Sequence, residues 1–207
     1  MSGAVYLLAG NPKARGRKPD PVMRAFFGEV GKTNPRLAYI GTASGDDRSF
    51  FALMRSFLRA SGADEVEMAP LCGRGADAED ALRVLSRADA VFVSGGDVAE
   101  GMDVLRARKG VIACLRERFD SGIPFMGLSA GSIMLSRGWV RWAEEDAGQD
   151  MLFECLGFAP IYCDVHGEGD GWDELKALLR LLPAATVGYA IPSGGALRVG
   201  EGIVESL

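Results

Sequence analysis

The sequence predicts an α/β fold: a doubly wound, mostly parallel sheet flanked by helices, with a C-terminal hairpin. Three observations predict it. Short apolar or β-branched runs alternate with segments whose apolar residues recur at helical spacing, the pattern that builds right-handed βαβ units. Several of these runs stop at a glycine, as at Gly10, Gly41 and Gly95, where a strand would hand over to a loop. The chain end, ALRVGEGIVESL, turns back on itself around Gly200-Glu201-Gly202.

The strand candidates, in order, are AVYLLAG (4–10), RLAYIGTA (36–43), EVEMAP (65–70), ADAVFVSGG (88–96) and IPFMGLS (123–129). Between them lie the helical patterns PVMRAFFGEV (21–30), DRSFFALMRSFLRAS (47–61), DAEDALRVLSRA (77–88) and VIACLRERFDSG (111–122). Phe50, Phe51, Met54, Phe57 and Leu58 form a stripe at three- and four-residue spacing, which reads as core. After residue 138 the texture changes. WVRW (139–142) reads as a short strand and AEEDAGQD (143–150) as an acidic loop; FAPIYCDV (158–165), a helix in WDELKALLRLL (172–182) and TVGYAIP (186–192) follow. In an open sheet of this kind ligands sit beyond the carboxyl ends of the strands.

Composition narrows the function. The 207 residues read as one domain, 1–207, with 48% hydrophobic and 25% charged residues, ordinary for a soluble globular protein. A net charge of −5 argues against a general nucleic-acid binder. No apolar run is long enough to span a bilayer, and the first residues read as a strand, not a signal peptide. Cys72, Cys114, Cys155 and Cys163 show no C-x-x-C spacing, so the expectation is reduced thiols in a cytoplasm. A single histidine, His166, excludes a histidine-rich metal site. The loop GNPKARGRKPDP (10–21) carries Lys13, Arg15, Arg17 and Lys18, cations suited to a substrate carboxylate if they do more than face solvent.

The chemistry centres on GLSAG (127–131), a G-x-S-x-G between the strand run PFMGL and the helical SAGSIML. A serine on such a turn is exposed for attack, and small neighbours let the strand and helix approach closely. The plainer reading is a tight turn and nothing more. A serine hydroxyl needs a base, and His166, where a strand run meets the glycine-rich HGEGDGW, is the only histidine available. Gly95 and Gly96 end another strand run, in VFVSGGDV, and with the N–H of Ala130 offer an oxyanion site; Asp97 then reads as the cap of the next helix. His166 follows Ser129 too closely for the chain order of an α/β-hydrolase.

Taken together, VFVSGGDV, GLSAGSIML, VHGEGDGWDELKALL and GYAIPSGGALRV, in that order, resemble the serine peptidase family of dipeptidase E and cyanophycinase. The resemblance implies a class I glutamine-amidotransferase-like fold and cleavage of small aspartyl peptides without metal or cofactor. It implies Ser129 as nucleophile, His166 as base, and Gly96 and Ala130 as oxyanion donors. The chain departs from the family pattern twice. Asp97 stands where the family usually has asparagine, and Ser193 where it usually has a glutamate that orients the histidine. Glu144, in the acidic loop, is the preferred substitute acid, with Asp164, Glu168 and Asp170 as other candidates. The expected partner is a small acidic peptide, with no nucleic acid and no membrane, and an acidic chain of this size is compatible with a homodimer. Two rival readings are an esterase or amidase using the same serine, and a non-catalytic binding or regulatory domain lacking the acid.

Overall fold

Aspartates set the start of four helices. Asp20, Asp47, Asp77 and Asp97 each accept a backbone N–H from the first turn they precede, satisfying donors that a helix leaves without partners. The computed structural model describes residues 2–10, 20–143 and 149–207; Glu144 and the loop cations Lys13, Arg15, Arg17 and Lys18 lie outside them.

Strands β1 (Val5–Leu8), β2 (Arg36–Ile40), β3 (Glu65–Met68), β4 (Ala90–Val93) and β5 (Phe125–Leu128) form a parallel core in the order β1-β5-β4-β2-β3. Late in the chain, β10 (Ala196–Gly200) adds antiparallel to β1, and β11 (Ile203–Ser206) adds antiparallel to β10. The hairpin between these two turns through Glu201 and Gly202, at φ 52° and 77°, the left-handed pair that a two-residue hairpin favours. The sheet is mostly parallel, as expected.

Both faces are covered because the strands alternate. Val5 and Leu7 point to one side of β1, with Ala38, Ile40, Val91 and Val93, and pack against α3 (Ala78–Arg87), α4 (Val98–Ala107), α5 (Val111–Asp120) and α6 (Ala130–Leu135). Tyr6, Leu8, Leu37, Tyr39 and Phe92 point to the other, against α1 (Pro21–Val30) and α2 (Arg48–Ser61). In the expected stripe on α2, Met54 and Leu58 are buried, whereas Phe50, Phe51 and Phe57 are half-buried at its margin.

Outside the main sheet, β6 (Gly138–Arg141) pairs antiparallel with β7 (Met151–Glu154), and β8 (Tyr162–Val165) pairs parallel with β9 (Gly188–Ile191), with α7 (Asp173–Arg180) between these last two in sequence. Three expectations need adjustment. β7 has no counterpart in the sequence reading. The run 36–43 leaves the strand at Ile40 and closes a 3₁₀ turn over Thr42–Ser44. The run 158–165 is strand only from Tyr162. Phe158 instead enters the core with Phe119 and Phe125, ring centroids 4.9 Å from each, and Pro160 has no N–H for a ladder.

Among the described residues no helix is long and apolar enough to cross a membrane. The four cysteines are unbridged, and burial pushes the thiols of Cys155 and Cys163 up to about 12.

Candidate active site

The carboxyl ends of β5, β4 and β8 bring the site together. Ser129 follows β5 directly at φ 53° and ψ −122°, a conformation that costs an L residue energy and is kept only where its surroundings impose it. Here they do. A Cβ on Gly131 would collide with the Val93 carbonyl, and one on Gly127 would lie 2.6 Å from the carbonyl carbon of Gly131. Only glycines on both sides of the serine allow strand and helix this close. The Ser129 N–H donates to Leu8 O at 2.8 Å. Ser132, one turn later and fully buried, accepts the Leu8 N–H at 2.9 Å and reaches Gly127 O at 2.9 Å with its hydroxyl. The turn is thus stitched to the ends of β1 and β5.

His166 leaves β8 at φ 45°. Ser129 and His166 are two of only five non-glycine residues with positive φ among the described residues. The His166 N–H donates to Ile191 O at 2.9 Å, continuing the β8–β9 register. Its imidazole Nε2 lies 2.8 Å from Ser129 Oγ. That distance is within the hydrogen-bond reach a nucleophile and its base require.

At the end of β4, Gly96 adopts φ 143°, and a Cβ there would collide with the Ala43 carbonyl. The turn lies against the serine: a Cβ on Gly95 would be 3.1 Å from Ser129 Cβ. The N–H groups of Gly96 and Ala130 enter no backbone hydrogen bond in the loops and turns among the described residues. Asp97 turns its carboxylate into its helix, where Oδ1 accepts the Glu100 N–H at 2.8 Å, and donates its own N–H to Ala43 O at 2.7 Å.

The candidate acids fall in different places. Asp164 is buried, its Oδ1 accepting the Val165 N–H at 2.7 Å, and burial raises its carboxyl above the usual carboxylate range. Asp170 accepts the Trp172 N–H at 2.9 Å ahead of α7. Glu168 Oε1 accepts the Ser193 N–H at 3.0 Å, so a carboxylate from the histidine loop stands beside the position where the acid of the resembled family would be. Glu144 lies outside the described residues. Sequence reasoning missed two features: the Ser132 clasp, signalled only by a third small polar residue in GLSAGS, and the Glu168–Ser193 contact, which has no local signal.

Residues 6–207 match peptidase family S51. The chain is similar to peptidase E of Streptomyces coelicolor, 31% identical over 132 residues, which is 63% of this chain and 51% of that protein. The match thus spans about half of that relative's length. An uncharacterized peptidase of Bacillus subtilis is 27% identical over 172 residues, 80% of this chain and 70% of the relative. The crystal structure of a putative peptidase E protein from Listeria monocytogenes EGD-e superposes with a TM-score of 0.72 at 14% identity, covering 100% of this chain and 98% of that one; the likeness is one of fold. With its match running from the first strand to the last residue, the chain belongs to peptidase family S51.

Proposed function

We propose that this protein is a serine peptidase that cleaves small aspartyl di- or oligopeptides through Ser129 and His166. The observation that carries the reading is the 2.8 Å approach of Ser129 Oγ to His166 Nε2 across two strained backbone positions. In this reading the imidazole takes the Ser129 proton as Oγ attacks the scissile carbonyl. The Gly96 and Ala130 N–H groups receive the oxyanion, where donors fixed in advance stabilise developing charge most. The imidazolium then protonates the leaving amine, and water, activated by the same imidazole, releases the acyl group. The aspartyl preference rests on the family resemblance; the relative named peptidase E supports the peptidase reading.

The test is covalent. A fluorophosphonate should modify Ser129 alone, as mapped by mass spectrometry, and Ser129→Ala should abolish both labelling and hydrolysis of an Asp-X dipeptide. Labelling at another serine would overturn the assignment. Labelling of Ser129 without turnover of any aspartyl peptide would leave the serine in place and move the substrate to another acyl class.

A further inference from the structure

We propose that Glu168 is the positioning acid of this site, its carboxylate clamped on Ser193 and acting on the His166 imidazole by charge. The proposal rests on the reading of Ser129 and His166 as a nucleophile and its base.

β8 and β9 pair Val165 with Ile191, and the His166 N–H still reaches Ile191 O. Glu168 and Ser193 therefore stand just past the ladder on adjacent segments, each two residues beyond one of the bonded pair. The chain reverses at His166, where φ is 45°, and closes a compact turn in which the Trp172 N–H donates to Gly167 O at 2.8 Å. That turn brings the Glu168 carboxylate across to the end of β9, where Oε1 takes the Ser193 N–H at 3.0 Å. A long acidic side chain is thereby fixed two residues from the imidazole.

The charge is secure. The Ser193 hydroxyl first, then the N–H groups of Glu168 itself and of Ser193, hold this carboxyl below the usual carboxylate range, and nearby His166 adds to the effect. Attraction is mutual: an anion favoured by the imidazole's positive charge favours that charge in return, and this charge forms when the serine gives up its proton. The neighbouring acids are engaged elsewhere, Asp164 with the Val165 N–H and Asp170 with the Trp172 N–H. Ser129, which meets the imidazole from the end of β5, carries no charge. No described residue makes a hydrogen bond to the second ring nitrogen, so Glu168 acts across a gap. Its effect should be about tenfold, well short of the roughly 10⁴ that a directly bonded acid supplies in a serine protease triad.

Two substitutions separate charge from clamp. Glu168→Gln keeps an oxygen for the Ser193 N–H and removes the charge; Glu168→Ala removes both. Because His166 is the only histidine, the ¹⁵N resonances of its imidazole can be followed without assignment. In Glu168→Gln those resonances should move, and the rate of Ser129 labelling by a fluorophosphonate should fall about tenfold. A Glu168→Gln protein with unchanged resonances and labelling, whether or not Glu168→Ala is impaired, would reduce Glu168 to a clamp and overturn the proposal. The same follows if Glu144→Gln displaces the resonances and Glu168→Gln does not. Should Ser129→Ala or His166→Gln leave labelling intact, the Ser129–His166 reading fails instead, and the resonances still decide whether Glu168 governs the imidazole.

Discussion

Ser129 Oγ and His166 Nε2 meet at 2.8 Å from the ends of two strands that belong to different sheets. Each residue reaches that position through a left-handed backbone turn. Strain of this kind persists only where neighbouring structure over-determines it. Here the Leu8 carbonyl holds the serine N–H and the Ile191 carbonyl holds the histidine N–H.

His166→Gln should lower kcat by about 10²–10⁴-fold, the range general base catalysis supplies, while the folded structure and its melting are little changed. The exposed imidazole has only Ser129 as a hydrogen-bond partner among the described residues, so removing it opens no core cavity. Stopped assays together with thermal melts make the comparison. A variant with unaltered kcat would assign His166 a structural role.

Gly131→Ala should destabilise the protein by about 1–3 kcal/mol, the usual cost of forcing a methyl into a filled space, and should lower kcat as well. Its Cβ would meet the carbonyl of Val93 and come within 2.8 Å of Ser94 O. The least costly relief is to push α6, and Ser129 with it, away from β4. Gly169→Ala is the control, since a Cβ there meets nothing within 4 Å. Urea melts that rank the two variants equally would refute the steric argument.

Glu29→Ala should also cost about 1–3 kcal/mol, through a buried donor left without its acceptor. The Tyr6 hydroxyl, nearly fully buried, donates to Glu29 Oε2 at 2.6 Å, and Arg198 binds both carboxylate oxygens at 2.8 and 2.9 Å. These bonds tie α1 to β1 and β10. The Arg198 guanidinium, foremost, holds the Glu29 carboxyl below its usual range. A depressed carboxyl contributes stability that is fully present above the unfolded-state pKa and lost as pH falls through the folded one. The gap between Glu29→Gln and wild type should therefore narrow in acid; a gap independent of pH would show that charge plays no part.

Much of this was legible in the sequence because it is local. Asp20, Asp47 and Asp97 precede apolar periodic segments and cap them. The glycines around Ser129 announce a close strand–helix approach, and a lone histidine at the end of a strand run leaves few alternatives. Strand β7 was not legible: in MLFE only Phe153 is buried, so no alternation marks it, and its pairing with β6 is a tertiary fact. Nor was the reach of Glu168 to Ser193. Ser193 itself offers no carboxylate, and only the folded structure brings Glu168 to its N–H. The carboxylate of Asp97 turns into its helix, as its reading as a cap predicts, and accepts the Glu100 N–H.

Asp164→Asn should stabilise the protein near neutral pH and leave Ser129 labelling unchanged. Burial raises the Asp164 carboxyl above its ordinary range, with the charges of Glu174 and Asp170 acting in the same direction against the Val165 and Leu175 N–H groups. A carboxyl whose folded pKa lies above its unfolded one binds more protons in the native state. Stability must then fall as pH rises from the unfolded-state value through the folded one, and the full penalty stands above it. Asparagine keeps an oxygen for the Val165 N–H and removes the charge that burial opposes. The gain in urea melts should be largest at neutral pH and vanish below the ordinary carboxylate range, where wild-type Asp164 is itself protonated. A loss of stability at neutral pH would mean that the anion is favourably held after all. A loss of labelling would mean that Asp164, from the strand that carries His166, is the acid that serves it, and Glu168 is not.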